Sequence, residues 1–258
     1  MSRTHGTKDG WLTALRADGG AFSVAVGEPG VLGADVPSCP DWTVGELVRH
    51  LGAVYRRTRT HAGSGRMDEP WSPLQVPDDA PPSGDEAVVA WFGGELAQLD
   101  AFLDALDPDL PAWNWAPQAK TAVFWHRRMA HETALHRWDA QLASTLPEPI
   151  ETKLAGDTVA EALDTFLPAG RRKGPRDIAG LVHLIAADLG HEWFVRLRGE
   201  GVALLDTDTL LDTDAHPARA AASGSASDLA LAIWGRVAFD VLDTAGELTL
   251  LEALRVSQ

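Results

Sequence analysis

Between Phe124 and Asp139 the chain reads Phe-Trp-His-Arg-Arg-Met-Ala-His-Glu-Thr-Ala-Leu-His-Arg-Trp-Asp, which puts metal-ligand side chains on the buried side of a helix. At about 100° per residue, Trp125, Met129, Glu132, His136 and Ala143 share one narrow arc, flanked by Phe124, Leu135 and Leu142. Arg127, Arg137 and Gln141 fall on the other side, and His126 points to that polar side as well. A carboxylate and an imidazole therefore sit one turn apart on the stripe expected to face a core, able to touch the same point. Burying an unpaired carboxylate is costly, so Glu132 must be neutralised, paired with an arginine or bound to a metal. Zinc would use both side chains, but an open zinc site needs about three protein ligands. Spacing alone is met more often by a hydrogen-bonded pair or a surface salt bridge than by a metal site.

The rest of the chain is large enough to bury such a helix. Its 258 residues, 45% of them apolar, suffice for one large domain or two modest ones with a packed core. A net charge of −15 argues against nucleic-acid backbone or an anionic membrane as a main partner, since either calls for a basic surface. Small molecules or proteins are the expected partners. No apolar run approaches the roughly 18 residues of a membrane span, and the opening Met-Ser-Arg-Thr-His-Gly is not followed by the apolar core of a signal peptide. The expected location is cytoplasmic. Cys39, the single cysteine, excludes an internal disulfide and a cysteine-rich zinc site, so a thiol taking part in chemistry would come from outside. Arginine greatly outnumbers lysine, and alanine, glycine and aspartate are abundant, which suggests a GC-rich genome such as an actinobacterial one.

Around the central stretch the pattern predicts a helical bundle. Residues 9–26 carry Trp11, Leu12, Leu15, Phe22 and Val26 at helical spacing, weakened by Gly19-Gly20. The prolines of Val36-Pro-Ser-Cys-Pro-Asp-Trp-Thr-Val-Gly-Glu46 stop that helix. Thr43-x-x-Glu46 then fits a capping box that opens a second, with Trp42 placed to fold back as a staple. Leu47, Leu51 and Val54 form its apolar face, with His50 on the shoulder, where a lone histidine is ordinarily a satisfied core residue. From Ala62 to Gly84 no period survives; so long a loop is a disordered connection or the rim of a site, and Trp71 either lines that rim or pins a crossover. Ser83-x-x-Glu86 reads as another capping box, ahead of Trp91, Leu96, Leu99, Phe102, Leu103 and Leu106. Pro108, Pro111 and Pro117 break the pattern before a fourth helix over about 120–145. Four helices with one long crossover make a bundle, which can build a metal site from facing helices.

After Pro147 the character changes. A helix candidate at 154–167 and a basic loop at 168–176, read as a solvated turn, precede an apolar run from Leu181 to Leu189. Glu192–Arg198 and Val202–Leu205 read as a β-hairpin around Gly199-Glu-Gly201, and Ala218–Ala222 as a further strand. Ser227-Asp228 is expected to cap a helix through Leu231, Trp234 and Val237. The expected fold class is α+β, with a four-helix bundle at 1–147 and a smaller mixed α/β domain at 148–258.

Four segments, in their order and distances, resemble the mycothiol-dependent maleylpyruvate isomerase family, whose N-terminal bundle belongs to the DinB/YfiT-like superfamily. They are Val36-Pro-Ser-Cys-Pro-Asp-Trp-Thr-Val, His50-Leu-Gly52, Arg128-Met-Ala-His-Glu-Thr-Ala-Leu-His-Arg-Trp-Asp139 and Ala226-Ser-Asp-Leu-Ala-Leu-Ala-Ile-Trp-Gly-Arg236. The likeness covers nearly the whole chain. It implies a zinc ion held by His50, Glu132 and His136, which supplies the missing third ligand. It also implies mycothiol as cofactor or co-substrate, bound as thiolate at an open metal position because the metal lowers its pKa. In the isomerase the thiolate adds to a cis double bond conjugated to a carbonyl, permits rotation and leaves to give the trans product. Related members transfer the thiol permanently.

Arg236 looks like the catalytic position that offers a guanidinium to substrate carboxylates, against the plainer role of a helix-end salt bridge. Asp139 either orients His136 through its second N–H or pairs with Arg128 or Arg137. His131 reads as a packing histidine and Cys39 as a buried turn residue. The implied function is a zinc-dependent, mycothiol-using isomerase or thiol transferase acting on an electrophilic small molecule, as a monomer or homodimer. A thiol-independent metal-dependent hydrolase or lyase of the same superfamily stays open, as does a non-catalytic metal-binding protein.

Overall fold

The structure, a computed structural model, describes residues 6–68, 81–205 and 218–256; Trp71 lies outside them. Two compact units are present, Gly6–Glu148 and one built from Pro149 onward. In the first, four helices form a closed ring: α1 (Lys8–Val26) packs on α3 (Asp85–Ala105) and α4 (Val123–Ser144), and α2 (Val44–Gly63) packs on the same two.

Local chemistry sets the helix starts. The Thr7 hydroxyl accepts from Gly10 N at 3.2 Å at the head of α1. At α2 the anticipated capping box forms, with Glu46 N donating to Thr43 Oγ1 at 3.3 Å and Thr43 N to Glu46 Oε2 at 2.6 Å. The box expected from Ser83 and Glu86 does not form. Gly84 is the cap of α3, so Ser83 stands one residue too early to reach the first-turn amides. Gly19 leaves α1 unbroken and instead permits close contact with α3, since a Cβ there would lie 2.8 Å from Leu96.

The largest departure from the sequence pattern is in α4. Every residue from Phe124 to Gln141 is buried, so the polar side expected for His126, Arg127, Arg137 and Gln141 does not exist. Polar groups there are paired rather than solvated. Arg137 Nε donates to Asp18 of α1 at 2.9 Å and Nη1 to Gln141 Oε1 at 2.8 Å, while both His126 ring nitrogens lie 2.9 Å from the carbonyls of Ala122 and Leu103. Helical periodicity locates a polar face only where a helix has one side in water.

The second unit begins with α5 (Thr152–Glu161), which runs on as a π turn over Ala162–Phe166. Its sheet contains β1 (Ala179–Ala186), β2 (His191–Arg198), β3 (Gly201–Leu205), β4 (Arg219–Gly224) and β5 (Asp243–Gly246), in the order β3-β2-β1-β4-β5. Among the described strands, only β1 and β4 pair in parallel. Val182, Leu184, Trp193, Val195, Leu197, Ala220 and Ala222 are buried, the alternation of a half-covered sheet. Against β1 and β4 pack α6 (Ala226–Ile233) and α7 (Leu248–Glu252). The cap of α6 is Ser225, not Ser227, whose hydroxyl accepts from Ile150 N instead.

The same helix stops before Val237. Gly235, at φ 72°, closes a Schellman turn in which Arg236 N bonds Leu231 O at 2.8 Å and Gly235 N bonds Ala232 O at 3.0 Å. In the basic loop, Arg172 is buried and donates to Gly199 O at 2.8 Å, so this part of it is a packed anchor rather than a solvated turn. No described helix is long and apolar enough to cross a membrane.

Candidate metal centre

The capping box starts α2 at a fixed register, and about two turns later the buried Leu47 and Leu51 turn His50 towards α4. On α4, Glu132 and His136 are one turn apart on one face. Glu132 Oε1 stands 3.4 Å from His50 Nε2 and 3.4 Å from His136 Nε2, and one ligand atom from each residue lies within 4.8 Å of the others. The two imidazoles meet edge-on with centroids 5.1 Å apart. His136 Nε2 is buried and makes no hydrogen bond.

Each ligand candidate is held from behind. Arg128 Nη2 donates to Glu132 Oε2 at 2.5 Å, His136 Nδ1 meets Asp139 Oδ2 at 2.9 Å, and the Trp42 ring lies 4.7 Å from that of His50. Asp139 in turn accepts from Ser38 Oγ at 2.6 Å and Cys39 Sγ at 3.6 Å. Burial by itself would raise the Glu132 carboxyl, but Arg128 and the two histidines more than offset it and hold the group well below the usual carboxylate range. Burial would lower His136, yet its contacts to Asp139 and Glu132 push it above its ordinary value. This point in the fold favours positive charge.

Ligands about 2.0–2.1 Å from a tetrahedral zinc stand about 3.3 Å from one another, close to the two 3.4 Å separations here. Two imidazole nitrogens and one carboxylate oxygen form a donor set that zinc accepts, as do other divalent first-row ions. The His50 side chain is 28% exposed, against 7% for Glu132 and 2% for His136, so among the three candidates solvent reaches the group chiefly at His50. Cys39, His136 and Asp139 also converge, but His136 Nδ1 and Asp139 Oδ2 already bond each other, which makes that group a support for the first.

The family described as mycothiol maleylpyruvate isomerase N-terminal domain matches residues 12–141, from α1 into α4. The chain belongs to this family. Two crystal structures of the mycothiol-dependent maleylpyruvate isomerase share the fold across both units. A mutant form gives a TM-score of 0.65 at 15% identity, and a second structure 0.62 at 17%, each covering 96% of this chain and 97% of the other. Among curated proteins none matches.

In this member of the maleylpyruvate isomerase family, the bundle brings His50, Glu132 and His136 together. Arg236 belongs to the other unit, half-buried just past the Gly235 turn, where its Nη1 donates to Trp234 O at 2.9 Å. Arg128, considered above as a partner for Asp139, pairs with Glu132, and its four-residue offset was a readable signal. Ser38 and Trp42 were missed as neighbours of the site. The bond from Ser38 spans 101 residues of sequence, and no local pattern encodes such a contact.

Proposed function

We propose that this protein is an enzyme that uses mycothiol to act on an electrophilic small molecule, with zinc held by His50, Glu132 and His136. The observation that carries the reading is the meeting of three ligand atoms from two helices around one carboxylate oxygen, with His50 partly exposed. Zinc bound there would lower the pKa of an incoming thiol and hold it as the nucleophilic thiolate. Arg128 occupies Glu132 Oε2, which leaves Oε1 to face the two histidines. Asp139 accepts the proton on His136 Nδ1 and so aims the Nε2 lone pair at the same point. To Arg236 we assign the binding of a substrate carboxylate, for which a guanidinium is suited.

Isomerisation is the reaction we favour, as in the crystallised maleylpyruvate isomerase; addition and departure of the thiolate would then leave the thiol unchanged, whereas permanent transfer would consume it. Purified protein is expected to hold about one zinc per chain by elemental analysis, and Glu132→Ala to lose most of it. Turnover of a maleylpyruvate-like electrophile should stop when mycothiol is omitted. Turnover that continues without any thiol would point to metal-activated water instead, and a metal-free wild type of equal stability would remove the site altogether.

A further inference from the structure

The segment between α1 and α2 is built more tightly than a connection requires. Its ends are tied by a β-bridge between Asp35 and Thr43, with Val44 N donating to Ala34 O at 2.9 Å. Inside, Val36 N bonds Trp42 O at 2.8 Å, Cys39 N bonds Val36 O at 3.0 Å and Trp42 N bonds Cys39 O at 3.1 Å. Val36 is buried at its base. Asp41 takes a left-handed φ of 69°, which aspartate tolerates better than most residues. The result is a fixed loop, closed on itself before it touches anything else.

What it touches is the candidate centre, at two points. Ser38 Oγ and Cys39 Sγ both bond the Asp139 carboxylate, whose Oδ2 is the partner of His136 Nδ1. Three residues further on, the Trp42 ring packs against the His50 imidazole at 4.7 Å. The two histidines come from different helices, so this one loop braces both against each other. An imidazole ligand can rotate about its side chain and exist in two tautomers, and a carboxylate on its far nitrogen removes both freedoms.

We propose that the Val36–Trp42 loop is a positioning element for the metal centre, with Ser38 and Cys39 fixing His136 through Asp139 and Trp42 fixing His50; this rests on the three-ligand reading above. The test is zinc affinity, measured on the full-length chain by competition with a chromogenic chelator, alongside the visible spectrum of the cobalt-substituted protein and the thermal unfolding midpoint without metal. Loss of outer-shell partners typically costs about 10–100-fold in metal affinity. Ser38→Ala, Asp139→Asn and Trp42→Ala are each expected to weaken zinc binding on that order and to alter the cobalt spectrum, while Ser38→Thr and Trp42→Phe restore both.

Affinities within twofold of wild type in all three variants, with zinc lost from His136→Ala, would overturn the loop's role and leave the ligand set standing. So would weakening that merely follows a lowered apo midpoint, or that is as large in the Thr and Phe variants. Zinc retained at full affinity by His136→Ala would instead bring down the ligand set, and the loop's role with it.

Discussion

Glu132 is a buried carboxylate one turn from a buried histidine, and its charge is the fact from which the site follows. Arg128 supplies one neutralising partner at 2.5 Å. Removing one member of a buried pair commonly costs about 3–5 kcal/mol because the other charge is left uncompensated. Arg128→Ala is therefore expected to destabilise the metal-free protein by that order, as read by denaturant unfolding. Saturating zinc should recover part of the loss, since a cation bound only to the folded state both stabilises it and replaces the missing charge. The Glu132–His136 pair was legible in the sequence because helical spacing alone puts the two on one face. His50 was not, since one histidine on the shoulder of an apolar stripe gives no sign of what it faces, and only the resemblance to a family supplied it.

At the scale of elements, α2 is set by its first turn and by one glycine. Thr43→Ala should cost about 1 kcal/mol of unfolding free energy by removing the cap. The Glu46 carboxyl is lowered by its bonds to the Thr43 backbone and hydroxyl. A depressed carboxyl stabilises the fold above its unfolded pKa, and that contribution is lost as pH falls through the folded value. The stability gap between wild type and Glu46→Gln should thus be present at neutral pH and close in acid.

Gly52 lies where α2 packs closely on Trp91 of α3, since a Cβ there would come within 2.4 Å of the ring. Gly52→Ala is expected to lose about 1–3 kcal/mol through overpacking, measurable by chemical denaturation. The caps at Thr43 and Ser83 had the same sequence signature and only one formed. A capping box also needs the chain to enter the helix at the right residue, and Gly84 moved that point by one.

Across the whole molecule the two units carry different parts of the proposed chemistry. The bundle holds all three metal-ligand candidates, and Arg236 sits in the unit built on the five-stranded sheet. Arg236→Ala is expected to leave zinc content unchanged and to raise KM. Losing charge-assisted hydrogen bonds worth about 1.5–3 kcal/mol corresponds to roughly tenfold to a hundredfold. A fall in zinc content would show that the arginine acts on the bundle's fold instead.

The sequence by itself determined the four bundle helices, the β2–β3 hairpin, the α+β class and the pairing of Glu132 with His136, because each is written in periodicity or in residues a few positions apart; β1, legible only as an apolar run, and β5 were not. The tertiary structure alone decided that α4 has no polar side, that Ser38 reaches Asp139 and that Trp42 leans on His50. The Trp42 contact depends on how the loop turns into α2, and the others on which helices surround α4 and on how a closed loop brings Ser38 and Asp139, 101 residues apart, within bonding distance. Side-chain pairing across such a span is fixed only once the whole bundle packs.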